Sequence, residues 1–163
     1  MKKLVLLSLF VVLTIAPILV SAQNDNNKGR FSVINEYGPF FGKNTIGFAG
    51  TFISGYTLPN LQDMIGLGVA YEAGTGIEQG LPIFINYRHI FNPTKPFTPI
   101  VNVAVGTRYC IPSYGTESAM GYYMTVGSGF QANLFSLSGG LFFKSYGTKD
   151  FYIGLEIKFG YKL

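Results

Sequence analysis

The chain has 163 residues, a length that suits one modest domain. It contains 15 Phe, 11 Tyr and 21 Gly but no Trp, and only 12% of its residues are charged, a composition that suggests membrane-facing β-structure. The formal net charge of +4 gives little support to nucleic-acid binding, and the single cysteine, Cys110, excludes an intrachain disulfide.

The first residues, "MKKLVLLSLFVVLTIAPILVSAQ", have the pattern of a secretory signal peptide. Two lysines form the basic start, an apolar run follows, and small residues precede Gln23. An uncleaved membrane anchor is the alternative, but Pro17 and the small residues favour cleavage, and a glutamine after the cut disfavours a lipid-anchored lipoprotein. We predict a signal peptide over residues 1–22 and a short periplasmic segment over 23–30. Removing the signal takes away two lysines, so the net charge falls from +4 to +2.

The remainder, residues 31–163, repeats one pattern: alternating runs bounded by Gly, Pro, Asn or Asp clusters that indicate turns. No long helical pattern interrupts these runs. The predicted strands are 31–42, 45–57, 64–73, 81–90, 97–109, 119–131, 134–146 and 150–162. Each is near the length of about 9–11 residues that a tilted strand needs to cross a bilayer.

The third run, "IGLGVAYEAG", shows two unlike faces. Large apolar residues alternate with small or polar ones: Ile65, Leu67, Val69 and Tyr71 against Gly66, Gly68, Ala70 and Glu72. A soluble sheet would bury its large side chains in a core, where glycine leaves voids and a charge lacks a partner. A transmembrane barrel turns this face toward lipid and fills its inside with small and polar groups. We therefore predict an all-β fold, an eight-stranded antiparallel up-and-down transmembrane β-barrel.

An even strand number places both chain ends on one side of the membrane, which we predict to be the periplasm. The connections near 43–44, 74–80, 110–118 and 147–149 would then face outside. Those near 58–63, 92–96 and 132–133 would face the periplasm.

Aromatic residues are expected at both bilayer edges, where an apolar ring and a polar tip are both satisfied. The candidates at the outer edge are Phe41, Tyr71, Tyr109, Tyr122 and Phe151. The candidates at the periplasmic edge are Tyr56, Tyr87, Phe130, Phe135 and Tyr161. The alternative is that strands simply favour aromatic residues.

The inward-facing positions collect both signs of charge. The candidate residues of an interior ion network are Glu36, Glu72, Arg88, Arg108, Lys144, Glu156 and Lys158. Enclosed charges cost on the order of several kcal/mol each unless they are paired, and a barrel of about eight strands has room for little besides side chains. We predict a plugged lumen; a narrow channel for small solutes or ions is the alternative, and a solute-binding cavity is a weaker one.

No catalytic, cofactor-binding or metal site is predicted. A lipid A-modifying enzyme would need a histidine beside a serine nucleophile or a comparable acid–base pair. His89 is the single histidine, it lies on the lipid-facing parity near the periplasmic end of its strand, and no serine neighbours it in "INYRHIFNP". One histidine and one cysteine are also too few ligands for a metal cluster of these residue types. We expect His89 to be an interfacial residue and Cys110 to fill space. We expect no cofactor and no enzymatic activity.

Two stretches carry a resemblance to a known family. "LPIFINYRHIFNPTKPFTPIVNVAVGTRY" is a strand, a Lys/Pro turn and a strand that begins Phe-x-Pro, and "IGLEIKFGYKL" closes the chain. With them, the chain resembles the small outer-membrane β-barrel proteins of Bacteroidetes-type bacteria, within the outer membrane protein A and X-like group of porin-like barrels. In that group the last strand is the signal for the barrel-assembly machinery. The residues that match this pattern are Leu155, Ile157, Phe159 and Tyr161, whereas the final Leu163 departs from it.

The resemblance is specific for fold and location and poor for function, because the same barrel serves as anchor, adhesin, channel or enzyme. It implies an integral protein of the outer membrane of a Gram-negative bacterium, with a structural or surface-interaction role. The expected partners are outer-membrane lipids, lipopolysaccharide and, during biogenesis, the barrel-assembly machinery. We expect a monomer and no nucleic-acid partner.

Overall fold

A computed structural model describes residues 29–75, 79–111, 119–146 and 150–163, without the side chains of Tyr146 and Asp150. The predicted signal peptide lies outside the described residues. Eight strands form the described chain: β1 (Arg30–Gly42), β2 (Thr45–Thr57), β3 (Asp63–Thr75), β4 (Gly80–Ile90), β5 (Phe97–Cys110), β6 (Ala119–Ala132), β7 (Phe135–Tyr146) and β8 (Asp150–Lys162). Within the described ranges, no helix is long and apolar enough to span a bilayer.

The strands close into a barrel. Each strand pairs antiparallel with the next, and β1 pairs with β8, for example at Tyr37 opposite Phe159. Closure removes the free sheet edges that would otherwise carry unpaired backbone groups. The predicted eight-stranded up-and-down barrel is therefore confirmed.

The strand bounds differ from the predicted ones by at most two residues. β1 begins at Arg30, inside the segment predicted to precede the barrel. Leu134, predicted to open the seventh strand, instead lies in the two-residue turn between β6 and β7. The turn needs a left-handed residue, and Asn133 supplies it with φ of 53°, as Asn44 does with 59° between β1 and β2.

The start of β1 and the end of β8 lie at one end of the barrel, which we call the terminal end; the opposite end is the distal end. Along β3 the two predicted faces are confirmed. Ile65, Leu67 and Val69 are exposed on the outside, whereas Ala70 and Glu72 are buried inside.

The barrel interior is less uniformly small and polar than predicted. Two apolar clusters occupy it, one of Ile34, Ile53, Met64, Ala70, Phe84, Ala104 and Tyr123 and the other of Phe40, Ala49 and Phe142. Glycines on neighbouring strands leave the space for these rings, since a Cβ on Gly68 would overlap the Phe84 ring and a Cβ on Gly47 would overlap the Phe40 ring. The small residues that suggested a polar lumen therefore make room for large apolar ones.

Gly38 makes a testable contribution to barrel closure. A Cβ at this position would overlap the backbone carbonyl oxygen of Ile157 on β8, and backbone cannot move aside as a flexible side chain can. We expect Gly38→Ala to lower the free energy of unfolding by about 1–3 kcal/mol, as overpacking does, measured by urea titration of the refolded barrel. Gly139→Ala is the matched control, because its Cβ would lie 3.7 Å from the nearest atom, the Glu156 carbonyl oxygen. Equal urea midpoints for the two variants would refute the close approach of β1 and β8 at Gly38.

Candidate functional site

Glu36 and Arg88 form a buried ion pair in the lumen. The Glu36 carboxylate accepts a hydrogen bond from Arg88 Nη2, although β1 and β4 are not adjacent in the barrel. Each side chain is only 1% exposed. The pair therefore crosses the interior and joins strands that share no backbone hydrogen bonds.

Glu72 is the centre of a second group. Its Oε2 accepts a hydrogen bond from Arg108 Nε at 2.9 Å, and its Oε1 lies 2.6 Å from Lys144 Nζ. All three side chains are no more than 1% exposed. One carboxylate therefore neutralises a large share of the charge of two fully buried cations.

Lys144 has aromatic neighbours as well. Its Nζ lies 4.2 Å from the ring centroid of Phe142, 4.5 Å from that of Phe40 and 5.5 Å from that of Tyr123. The negative ring faces attract the cation, an attraction worth about 2 kcal/mol when the charge is desolvated. The aromatic rings of the lumen thus stabilise a charge as well as fill space.

Glu156 and Lys158 pair at 2.6 Å along β8. Lys158 is also attracted to Glu36, which links this pair to the Glu36–Arg88 pair. The structure places all seven residues of the predicted interior network in the lumen and buries them. Their direct contacts form three groups, and the role of these groups as a plug stays a prediction.

Sequence reasoning left two buried lumen residues out of the candidate site. Lys162 is buried at the terminal end of β8, and its parity with Glu156 and Lys158 was the available signal. Cys110, expected only to fill space, is fully buried, and its Sγ lies 3.1 Å from Arg108 Nη1. The sulfur therefore accepts a hydrogen bond from the guanidinium group at the distal end.

The outer surface places aromatic side chains at both ends of the barrel. The residues predicted at the bilayer edges are all exposed: Phe41, Tyr71, Tyr109, Tyr122 and Phe151 at the distal end, and Tyr56, Tyr87, Phe130, Phe135 and Tyr161 at the terminal end. Phe97 and Phe130 stack with ring centroids 4.9 Å apart. This arrangement fits a surface that meets two bilayer interfaces.

His89 belongs to a polar cluster on the outer surface of the terminal end. Its Nδ1 lies 2.8 Å from Asp63 Oδ1, which also accepts a hydrogen bond from Tyr87 Oη at 2.6 Å. Asn60 Nδ2 donates to the other carboxylate oxygen at 2.6 Å. Sequence reasoning missed the pairing of His89 with Asp63 because it depends on the register of β3 against β4, in which the two residues lie opposite each other.

The Asp63 carboxylate orients the His89 imidazole through Nδ1. A histidine that acts as a general base has the same kind of carboxylate partner. The hydroxyl that the structure places in this cluster is that of Tyr87, which donates to the same carboxylate. Among the residues that the structure describes, no three His, Cys, Asp or Glu side chains come together as metal ligands would.

The predicted assembly strand is exposed on its outward face. Leu155, Ile157, Phe159 and Tyr161 point outward from β8. Leu163 forms two backbone hydrogen bonds with Val33, at 2.8 and 3.2 Å. The leucine that departs from the family pattern therefore does not interrupt the backbone pairing of β8 with β1. Recognition of this strand by an assembly machinery stays a prediction.

The closed sheet, the apolar exterior and the aromatic ends define the fold of an eight-stranded outer-membrane β-barrel. The sequence matches no protein-family model and no curated protein. Solved structures of outer-membrane barrels are similar to this chain in fold, at low sequence identity.

The N-terminal β-barrel domain of Pseudomonas aeruginosa OprF is 15% identical, with a TM-score of 0.56, covering 83% of this chain and 100% of that one. Neisserial surface protein A (NspA) is 13% identical, with a TM-score of 0.60, covering 82% and 96%. The outer membrane enzyme PagL is 12% identical, with a TM-score of 0.51, covering 80% and 98%. Identity at this level shows the fold alone, and one of the three proteins is an enzyme, so the fold does not decide the activity. Membership of the Bacteroidetes-type family stays a prediction.

Proposed function

We propose that the chain is an integral outer-membrane β-barrel protein with a structural or surface-interaction role, whose lumen is closed by its own ion pairs and aromatic side chains. An exposed apolar exterior would be unstable in water as a large continuous patch, and lipid removes that cost. The fold shared with outer-membrane barrels supports the same location.

The burial of the lumen charges carries the proposal that the lumen is closed. Arg108 and Lys144 are 0% exposed and Glu72 is 1% exposed. The charges of a water-filled pore would be hydrated and screened. Here they touch one another and aromatic rings, which is the arrangement of a plug.

The terminal end would face the periplasm, which is the side that an up-and-down barrel with an even number of strands is expected to give to both ends of its sheet. The distal connections would then face the exterior, where a surface-interaction role would place its contacts. Lipids and lipopolysaccharide would cover the outside of a monomeric barrel.

Fractionation tests the location. We expect the chain, expressed in a Gram-negative host, to enter the outer-membrane fraction and to migrate differently on gels before and after boiling, as folded barrels do. A barrel stable enough to resist detergent unheated needs all backbone groups paired, which closure provides. Recovery in the inner-membrane or soluble fraction, or identical migration with and without boiling, would contradict the proposal.

Beside the narrow channel, an enzyme is a third candidate, because the structure gives His89 a carboxylate partner and because PagL has this fold. The cluster lies at the terminal end, whereas lipid A would lie in the leaflet near the distal end in the proposed orientation. Mass spectrometry of lipid A from cells with and without the protein separates the candidates. A mass change that His89→Gln abolishes would favour the enzyme.

A further inference from the structure

A cavity of about 290 Å³ opens at the terminal end of the lumen. It lies between the ends of β1, β5, β6 and β8 and the turn that joins β4 to β5. Its polar lining includes Arg30, Lys95, Thr98, Gln131, Asn133 and Lys162. The volume is near the lower limit of about 300 Å³ for small-molecule sites.

The charge of this lining is entirely positive. Arg30, Lys95 and Lys162 contribute three cations, and no Asp or Glu belongs to the described lining. This contrasts with the rest of the lumen, where each of the buried carboxylates Glu36, Glu72 and Glu156 has a cation as its partner. A concave site with one sign of charge concentrates ions of the opposite sign.

Lys162 is the least expected member of the lining. Its side chain is only 7% exposed, yet no ion pair or hydrogen bond of its ammonium group occurs within the described ranges. Burial disfavours its charged form most, and repulsion from Arg30 and Arg88 adds to this effect. Buried cations are normally paired, so an anion in the cavity would supply the missing partner.

Gln131 adds a second unpartnered atom. Its Nε2 donates to the Asn133 carbonyl oxygen at 3.1 Å, which leaves its Oε1 buried without a donor. A protonated phosphate oxygen is both part of an anion and a hydrogen-bond donor, so it could satisfy Lys162 and Gln131 together. A fully deprotonated anion could satisfy Lys162 alone.

We propose that this cavity binds a phosphate group, held by Lys162, Arg30 and Lys95. Free phosphate, a phosphate ester of a small molecule and a lipid headgroup all present the same chemistry to the lining. The inference rests on the proposed function only for the side of the membrane on which the cavity opens.

Titration calorimetry of the purified, refolded full chain in non-ionic detergent tests the proposal, with inorganic phosphate as the probe. We expect saturable binding that Lys162→Gln weakens by at least tenfold, about the effect of losing 1.4 kcal/mol. Lys95→Gln should weaken it as well, and Lys162→Arg should retain it. Lys43→Gln, which removes an exposed lysine from the distal end, is the matched control and should bind as wild type does.

Competition with a short-chain phosphatidic acid identifies the source of the phosphate. Tighter binding of the lipid than of inorganic phosphate would assign the site to a headgroup, and equal binding would assign it to free phosphate. Heat-modifiable migration of each variant confirms that it has folded. No saturable binding by the wild type, equal binding by folded Lys162→Gln and Lys95→Gln, or displacement by equimolar chloride would overturn the proposal, without bearing on the membrane location.

Discussion

Ile157→Lys should prevent the stable insertion of the barrel. Ile157 lies in the middle of β8, points outward and is 42% exposed, so the lysine would face the centre of the bilayer. A cation at the midplane of a barrel costs about 2–4 kcal/mol. We expect the variant to be degraded or to lose its heat-modifiable form, as measured by the folded fraction in isolated outer membranes. Leu155→Asp on the same face should act in the same direction.

Tyr56→Lys is the matched control for depth. Tyr56 is also outward-facing and exposed, but it lies at the terminal end of β2, near the predicted interface. A cation there costs about 0–1 kcal/mol, so this variant should insert almost normally. If Ile157→Lys accumulated at wild-type levels as a folded, heat-modifiable barrel, the assignment of the outer face to lipid would be wrong.

Glu72→Gln should destabilise the folded barrel strongly without moving it from the membrane. The change removes the carboxylate that Arg108 and Lys144 share, and breaking a buried pair costs about 3–5 kcal/mol because a buried charge loses its counter-ion. The urea midpoint of the refolded variant should fall accordingly. Arg108→Ala should have a smaller effect, since Lys144 keeps its carboxylate.

Two control variants test whether the loss of the ion pair causes this destabilisation. Adding Lys144→Met to Glu72→Gln should recover part of the loss, because one of the two cations that lost this carboxylate is then replaced by an apolar side chain. Lys43→Gln, at an exposed position, should leave the midpoint unchanged. A loss of about 1 kcal/mol or less in Glu72→Gln would indicate hydrated charges and would count against the plug.

Alternation along single strands predicted the direction of the side chains well. Over residues 65–71 of β3 and throughout β8, each outward residue is large and apolar, so the period of two alone separates the faces. The positions of Glu72, Arg108 and Lys144 inside the barrel followed from the same parity. Their contacts did not, because they depend on how three non-consecutive strands are staggered around the barrel.

Other features depend on pairs of strands that one segment cannot reveal. Phe40 faces the lumen because Gly47 on the next strand leaves room for its ring, and neither residue predicts this alone. Asp63 and His89 meet only because β3 and β4 pair in that register. The sequence therefore predicts the strands and their faces, whereas the register of the paired strands determines which residues contact each other.

Single-channel recording in planar bilayers tests the central claim most directly. We expect the purified, refolded wild-type barrel to produce no steady conductance steps. Glu36 and Glu72 hold their cations across the lumen, Glu156 holds the lysine two residues along its own strand, and aromatic rings fill the space between these groups. Steady, ion-selective steps from the wild type, altered in size or selectivity by Glu72→Gln while its urea midpoint stayed unchanged, would show a water-filled pore and contradict the closed lumen.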